Sequence, residues 1–331
     1  MKSYIEKITR GENLTIDEAE DLMEQILTDA TDSQIAAVLI GLKMKGESPS
    51  EIAGLAMGMK KKASSITPKI STLIDTCGTG GDSSHTINIS TIAAILVASS
   101  GVCVAKHGNY SITSKCGSAD ILKASGVKID LEPPEVCRMI EEVGMGFMLA
   151  PIFHPSMKRV APIRREIGVR TVFNILGPLT NPANVKRQVI GVFDPSLCLR
   201  MAEVLRELGS THAIVVHGSG LDEITTTGPT EIVELKNGNI ESFTITPEDY
   251  GLERAKLKDL EGRDAEYNVK VMLEILNGKK GFMRDIVALN AAAGLYIGQK
   301  ACDIKEGLEI ANNLLDESRG IDKLDEMVAF R

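Results

Sequence analysis

Glycines and carboxylates cluster at positions 75–82, where the sequence reads DTCGTGGD. Three glycines in the four positions 78–81 let the backbone turn sharply and present its N–H groups to an anion. A helix is predicted to begin at 88–91, and a helix N-terminus favours phosphate through unpaired N–H groups and its dipole. A tight strand–helix connection capped by Asn88 is the alternative. Asp82 favours the phosphate site. A carboxylate beside a phosphate-binding loop would repel the ligand unless a cation or a ligand amine lies between them.

A second polar loop follows the predicted strand at 102–106. It begins with KHGN at Lys106 and continues to Asp120 with four hydroxyl side chains. A lysine, hydroxyls, glycines and another helix start form a second anion site, although a polar surface loop is the alternative. Ligands of open α/β sheets bind at the carboxyl ends of strands. The two loops therefore predict a ligand with two phosphate groups.

Two further groups of side chains could bind ligands, the first a metal ion and the second a carboxylate. Asp222 and Glu223 follow an apolar strand and a Gly-rich turn, and adjacent carboxylates suit Mg²⁺ together with substrate phosphate oxygens. Solvated loop charge is the other interpretation of this pair. His154 lies in the apolar segment 150–155, and Arg164 follows on a predicted helix. A guanidinium beside an apolar wall can recognise a small aromatic carboxylate, although either residue alone is usually structural.

The elements that must position these residues fall into two blocks. Residues 1–66 predict a helical domain, with a capping box at Thr15 and Glu18, a second helix from 32 or 33 through 42, and a third helix that begins at 48–49. Beyond residue 66, short β-branched strands alternate with helices, which predicts a buried, mostly parallel sheet. The predicted strands are 71–76, 102–106, 146–149, 188–193 and 213–217, with helices at 91–100, 134–143 and 195–208 and antiparallel strands in 230–246.

The expected fold class is α/β, with a small all-helical domain and a large α/β domain whose central sheet is flanked by helices. The domain boundaries are expected at 1–66 and 67–331. The segment 155–182, helical and then turn-rich, is expected to return to the helical domain, and the tail 266–331 is helical.

Composition excludes several classes of protein. The chain has 331 residues, is 43% hydrophobic and carries a formal net charge of −8, which does not favour nucleic acid or an anionic membrane as partner. Its six cysteines are scattered without a Cys-x-x-Cys pair, so a reducing compartment is expected. Charges interrupt every apolar run near the N-terminus, so neither a signal peptide nor a membrane span is predicted. A cytoplasmic protein is expected.

Five motifs together resemble the anthranilate phosphoribosyltransferases, within the two-domain nucleoside phosphorylase and phosphoribosyltransferase-like group. They cover nearly the whole chain in the family's order: GTGGD at 78–82, NIST at 88–91, the loop 106–120, RTVFNILGPLTNP at 170–182, and Asp222-Glu223. The resemblance implies transfer of the 5-phosphoribosyl group from phosphoribosyl pyrophosphate (PRPP) to the amine of anthranilate. The products would be N-(5-phosphoribosyl)anthranilate and pyrophosphate, in tryptophan biosynthesis. It also implies Mg²⁺, with two ions expected, and a homodimer joined through the helical domain.

The resemblance further implies roles for single residues. Ser90, Asp222 and Glu223 would hold Mg²⁺, and Gly78, Asn109 and Arg164 would meet anthranilate. His107 would be a positioning residue, and no residue is assigned with certainty to covalent catalysis. One departure is Tyr110, where the family commonly has Arg, so one phosphate contact differs. The residues expected around PRPP are Gly78, Gly81, Asp82, Thr86, Asn88, Ile89, Ser90, Thr91, Lys106, His107, Gly108, Asn109, Tyr110, Ser111, Ile112, Thr113, Ser114 and Ser118.

Two other functions compete with this one. An enzyme like the pyrimidine nucleoside phosphorylases would share the fold, but it would not need the pair Asp222 and Glu223. The Gly-rich Ser-Gly-Arg-Gly-type stretch associated with that family is also missing here. A non-catalytic relative that binds nucleic acid would favour a basic surface, whereas this chain carries a net charge of −8. The transferase interpretation therefore accounts for more of the residues.

Overall fold

Reciprocal side-chain caps begin three of the four helices of the N-terminal block. In each cap a hydroxyl accepts a hydrogen bond from the third helical N–H, and the third side chain accepts one from the cap N–H. The pairs are Thr15 with Glu18, Thr31 with Gln34, and Ser48 with Glu51. The computed structural model describes residues 1–82, 84–111 and 115–331. The helices of this block are α1 (Lys2–Thr9), α2 (Ile16–Thr28), α3 (Asp32–Lys45) and α4 (Pro49–Lys61).

In the part of the chain that the structure describes, seven strands form one sheet. They are β1 (Leu73–Gly78), β2 (Cys103–Gly108), β3 (Met145–Leu149), β4 (Arg187–Gly191), β5 (His212–Gly218), β6 (Thr230–Lys236) and β7 (Asn239–Ile245). Their order is β3-β2-β1-β4-β5-β6-β7. Strands β1 to β5 pair in parallel, whereas β6 and β7 pair antiparallel. The predicted fold class is confirmed.

Helices cover both faces of this sheet. Between the strands lie α5 (Ile89–Ser99), α6 (Ser118–Ala124), α7 (Pro133–Val143), α8 (Ala150–Phe153), α9 (Met157–Ile167), α10 (Phe173–Leu179) and α11 (Leu197–Glu207). The tail contains 3-10 turns at Pro247–Tyr250 and Leu257–Leu260, and then α12 (Ala265–Leu276), α13 (Phe282–Ile297), α14 (Ile304–Asp316) and α15 (Arg319–Ala329). Helix α5 packs on β1 and β2, and α13 packs on β1, β4 and β5. Helix α11 packs on β5 and β6.

Buried apolar residues form two cores on opposite faces of the sheet. Successive residues of a strand point to opposite faces, and accordingly Ile214 belongs to the core with α5 and α13, whereas Val215 belongs to the core with α11 and the N-terminal helices. The second core also contains Val160 of α9 and Leu176 of α10. The segment that carries α9 and α10 therefore packs with the N-terminal helices.

Two sequence-based expectations about helices were wrong. The second half of 155–182 is not simply turn-rich, because Phe173–Leu179 forms a helix with Pro178 inside it. This proline lies in the last turn of a short helix, where few backbone bonds follow it. Helix α3 runs beyond residue 42 to Lys45 and ends where Gly46 takes a φ of 84°. Among the described residues, no helix has the length and apolarity needed to cross a bilayer.

Candidate active site

The predicted phosphate loops meet at one edge of the sheet. Parallel strands place their carboxyl ends together, and β1, β2, β4 and β5 end at Gly78, Gly108, Gly191 and Gly218. The register pairs Gly78 with Gly191. The loops that follow β1, β2 and β5 therefore surround one cleft, which is the usual ligand position in an open α/β sheet.

The Gly-rich loop after β1 is built around Asp222. The Gly80 N–H donates to Asp222 Oδ2 at 2.7 Å. A Cβ on Gly78 would lie 2.4 Å from Asp222 Oδ2, and one on Gly191 would lie 1.6 Å from the Asp222 carbonyl oxygen. Glycine is therefore required at both strand ends, because any side chain would displace the carboxylate from the loop.

Three carboxyl groups reach this cleft: Asp82 from the loop after β1, and Asp222 and Glu223 from the loop after β5. Burial, and then the charge of Asp82, raises the pKa of Asp222 to about 7. Burial and the charge of Asp222 raise the pKa of Glu223 well above its usual value. The Ser90 N–H, in the first turn of α5, donates to Glu223 Oε1 at 3.1 Å. Carboxylates that repel one another in an enclosed site favour a bound proton or a cation.

The donor atoms of this cluster suit Mg²⁺. They are carboxylate and hydroxyl oxygens, which hard divalent cations prefer. Within the described ranges, no group of three or more His, Cys, Asp or Glu side chains could hold an ion by itself. Mg²⁺ commonly takes one or two protein carboxylates and completes its coordination with water and substrate phosphate. The carboxylates therefore fit a metal that is held jointly with a phosphate-bearing ligand.

Lys106 provides a buried positive charge beside the carboxylates. Its side chain is 1% exposed, and its Nζ donates to the Thr76 carbonyl oxygen at 2.5 Å. Burial raises the pKa of both Asp75 and Glu223, and the Lys106 charge opposes the rise at each. The lysine is thus positioned by β1 and faces an excess of negative charge.

The loop after β2 folds back on the start of α6. Ser118 Oγ accepts from the Asn109 N–H at 3.3 Å and donates to the Asn109 carbonyl oxygen at 3.2 Å. The Asp120 carboxylate accepts from the N–H groups of Gly117 and Ser111, at 2.8 and 3.1 Å. These two N–H groups therefore bind an internal carboxylate, and the binding of a phosphate group at this helix start stays a prediction.

The remaining residues expected around PRPP differ in what they can offer. Ile89 and Thr91 are each 1% exposed, so their side chains belong to the core and only their backbone remains for a ligand. Tyr110 is 40% exposed at the rim of the cleft. Ile112, Thr113 and Ser114 lie outside the described residues.

Asn88 does not cap α5, contrary to the alternative considered for it. Its Nδ2 donates to the Cys116 carbonyl oxygen at 3.0 Å and so joins the two phosphate loops.

Two buried histidines, one on β2 and one after α8, pack together and form what we call the histidine wall. His107 Nδ1 lies 3.2 Å from the Gly177 carbonyl oxygen, and the imidazole of His154 stands 5.1 Å from that of His107 between ring centroids. Because a carbonyl oxygen only accepts, Nδ1 of His107 carries the proton. Burial lowers the pKa of His107 to about 3 and that of His154 to about 4. Among the described residues, Nε2 of each ring is buried and has no hydrogen-bond partner.

Arg164 lies on α9, as predicted, with its guanidinium carbon 5.3 Å from the Phe173 ring centre. Burial lowers the pKa of this group. Within residues 1–82, 84–111 and 115–331, Arg164 has no side-chain hydrogen bond and no ion pair with Asp or Glu. A partly desolvated guanidinium without a carboxylate is a site for an external anion.

Sequence reasoning missed a buried bridge beneath the cleft. Asn181 Nδ2 donates to Asp75 Oδ2 at 2.8 Å and to the Ala105 carbonyl oxygen at 2.9 Å. This bridge fixes the segment that follows α10 to the neighbouring strands β1 and β2. The available signal was Asp75 itself, since a charged residue inside an apolar strand requires a polar partner.

Known protein families match nearly the whole chain. Residues 2–63 match the helical bundle domain of a glycosyl transferase family, and residues 71–320 match that family's a/b domain. The chain is 54% identical, over 100% of its length and 94% of the relative, to anthranilate phosphoribosyltransferase of Methanococcoides burtonii.

Solved structures give the same result. The crystal structure of anthranilate phosphoribosyltransferase from Thermus thermophilus is 42% identical with a TM-score of 0.95, and the match covers 99% of this chain and 98% of that one. The Saccharomyces cerevisiae enzyme in complex with PRPP and Mg is 26% identical, with a TM-score of 0.89 and coverage of 99% and 96%. The same yeast enzyme in complex with 4-fluoroanthranilate is 25% identical with a TM-score of 0.88 and the same coverage.

Proposed function

The chain belongs to the anthranilate phosphoribosyltransferases of the glycosyl transferase family, and we infer from this premise how its residues carry out the reaction. It transfers the 5-phosphoribosyl group of PRPP to the amine of anthranilate, giving N-(5-phosphoribosyl)anthranilate and pyrophosphate in tryptophan biosynthesis. The observation that carries the assignment of its residues is the meeting of the Gly-rich loop, Lys106 and the pair Asp222 and Glu223 at one strand edge.

We propose that PRPP spans the two loops, with its pyrophosphate beside Lys106 and the metal pair. The reaction breaks a C–O bond to a highly charged leaving group, so the main need is neutralisation of charge. Lys106, held rigidly by Thr76, provides one positive charge, and the backbone N–H groups of the Gly-rich loop provide oriented dipoles. Mg²⁺ bound to this site would add the remaining positive charge at the leaving group.

We propose Ser90, Asp222 and Glu223 as the residues that hold Mg²⁺. Asp222 is attached to the Gly-rich loop through Gly80, whereas Glu223 is attached to the start of α5 through Ser90. Because the two carboxylates are oriented by different elements, they can serve different ions. This separation supports a site for two Mg²⁺ ions.

Anthranilate is proposed to bind between the histidine wall and Arg164. Its carboxylate would pair with the unpartnered guanidinium, and Asn109 and Gly78 would border the ring from the loops. The aromatic amine is neutral at pH 7 and needs no strong base to attack C1 of the ribose. Alignment of the two substrates can then supply up to about 7–11 kcal/mol of the barrier reduction.

His107 is proposed to position the acceptor. A group with a pKa of about 3 is a weak base at neutral pH, so it is poorly suited to abstracting a proton. Its ring packs against His154, and its Nδ1 donates to the Gly177 carbonyl oxygen, so it would orient the segment at 173–179 beside the acceptor. The structure thus supports a positioning role for this residue.

We propose that residues 1–66, with the returning segment 155–182, form the smaller domain, and that 67–331 form the larger one. The exposed side of α3 supports a homodimer through the smaller domain. Ala37, Ile40 and Met44 lie on one face of that helix, and Met44 is 83% exposed. A second copy of the same helix would cover this apolar stripe. The enzyme is proposed to act in the cytoplasm.

A single assay tests the proposed function. We expect PRPP-dependent loss of anthranilate fluorescence that requires Mg²⁺ and releases one pyrophosphate for each anthranilate consumed. Phosphate-dependent cleavage of a pyrimidine nucleoside, without consumption of anthranilate, would contradict the proposal. The same purified protein serves both measurements.

A further inference from the structure

A distant part of the chain holds the Gly-rich loop from outside. Residues 260–268, which we call the clamp segment, include the end of a 3-10 turn and the start of α12. The Ile87 N–H donates to the Leu260 carbonyl oxygen at 3.0 Å, and the Gly262 N–H donates to the His85 carbonyl oxygen at 2.8 Å. The clamp segment therefore pairs antiparallel with the end of the first phosphate loop.

Asn268 connects the clamp segment to both phosphate loops. The residue is 1% exposed, and its Nδ2 donates to Asn88 Oδ1 at 2.9 Å. Its Oδ1 accepts from the Arg263 N–H at 2.9 Å. The side chain also forms a hydrogen bond with the Cys116 thiol, and Asn88 Nδ2 donates to the Cys116 carbonyl oxygen. Asn268, Asn88 and Cys116 thus form one partly buried network that joins the loop after β1 to the loop after β2.

The network leaves little freedom to change the distance between the loops. A Cβ on Gly262 would lie 2.5 Å from the Thr86 carbonyl oxygen, so the clamp segment is in close contact with the first loop. The cavity at this junction has a volume of about 10 Å³, which is room for about one water molecule. A buried amide whose partners are all directional specifies one arrangement, because any shift leaves a polar group unpaired.

We propose that Asn268 is a positioning residue that sets the spacing between the two phosphate loops and thereby selects a ligand that spans both. This inference rests on the proposed function, in which PRPP is that ligand. A ligand that bridges two subsites depends on their separation, whereas one that occupies a single subsite does not. Pyrophosphate and ribose 5-phosphate each represent one part of PRPP and occupy one subsite.

The test is the substitution Asn268→Asp, which keeps the size of the side chain and the acceptor for Arg263 but removes the donor to Asn88. Calorimetric titrations with Mg²⁺ would compare PRPP, inorganic pyrophosphate and ribose 5-phosphate. We expect the affinity for PRPP to fall about ten-fold, as for one lost directional bond, and the other two affinities to change less than about two-fold. The KM for PRPP should rise in the same proportion, with the KM for anthranilate unchanged.

The control is Arg284→Gln on α13, which removes a buried polar group that contacts Gly278, Asn312 and Asp316 and reaches neither loop. It should lower the melting temperature without changing the affinity for PRPP. If Asn268→Asp does not fold, Asn268→Ser carries the same comparison. Equal weakening of PRPP and pyrophosphate, or no weakening of any ligand, would overturn the inference. A wild-type protein that binds no PRPP would instead overturn the proposed function.

Discussion

Replacement of Arg164 by alanine should weaken anthranilate and leave PRPP almost unaffected. The guanidinium is partly desolvated, lies over the Phe173 ring, and has no carboxylate partner in the described part of the chain. A hydrogen bond to a charged group is worth roughly 1.5–3 kcal/mol, so its loss corresponds to about a ten- to a hundred-fold decrease in kcat/KM for anthranilate. Arg164→Lys should have a kcat/KM for anthranilate between those of the wild type and Arg164→Ala, because it keeps the charge and loses the planar pair of donors.

Stability separates this role from a structural one. Because no ion pair is broken, Arg164→Ala removes only packing on the Phe173 ring, worth about 0.5–1 kcal/mol. The melting temperature should therefore change little, as for the control Arg165→Ala, an exposed arginine on the same helix. Lys106→Met should show the reverse kinetic pattern, with a higher KM for PRPP, since it removes a cation from the pyrophosphate site.

The assay is steady-state kinetics with each substrate varied in turn, together with a melting curve for each variant. The reasoning is refuted if Arg164→Ala raises the KM of PRPP as much as that of anthranilate. A large fall in melting temperature with unchanged kinetics would also refute it, because Arg164 would then be a structural residue.

Three further predictions test the metal pair, the histidine wall and the dimer. Asp222→Asn combined with Glu223→Gln should reduce turnover at least about hundred-fold. The melting temperature without Mg²⁺ should rise, because the repulsion between the buried carboxylates is removed. Near-normal turnover at low Mg²⁺ would contradict this prediction. His154 has a pKa of about 4 when folded and 6.5 as its ordinary value, so the unfolded chain binds more protons between these values and stability falls as the pH is lowered. Denaturation curves from pH 7 to 4 should show that the fall in the free energy of unfolding is smaller in His154→Gln by on the order of 3 kcal/mol. Parallel pH dependences for the two proteins would contradict this prediction. Light scattering should give twice 35.6 kDa for the wild type and 35.6 kDa for Met44→Asp, whereas a monomeric wild type would exclude the dimer.

Much of the fold could be predicted because its signals are local. The capping pair of Thr15 and Glu18 lies within one helical turn, and the alternation of β-branched strands with helices requires only short windows of sequence. The Asn237-Gly238 turn between β6 and β7 is equally local, with both residues at positive φ. The family resemblance, the fold class and the transferase function are confirmed by the relatives. The roles of the single site residues remain predictions.

The parts that sequence reasoning missed depend on partners far apart in the chain. Asn268 and Asn88 are separated by 180 positions, and Asn181 and Asp75 by 106. Nothing within a short window distinguishes these asparagines from surface ones. The contacts of Asp120 were missed for a related reason, since a carboxylate three residues into a helix can bind N–H groups of the preceding loop.

The two sides of the cleft differ in the charge that they lack, and this difference matches the two substrates. On one side, carboxylates with raised pKa values outweigh Lys106, so we expect cations that arrive with a polyphosphate to complete the site. On the other side, His107 and His154 remain neutral and Arg164 is the unpaired charge among the described wall residues, so the site suits one carboxylate and a neutral amine. We expect catalysis to rest on alignment and on neutralisation of the leaving group, and both would depend on the loops that Asn88 and Asn268 join.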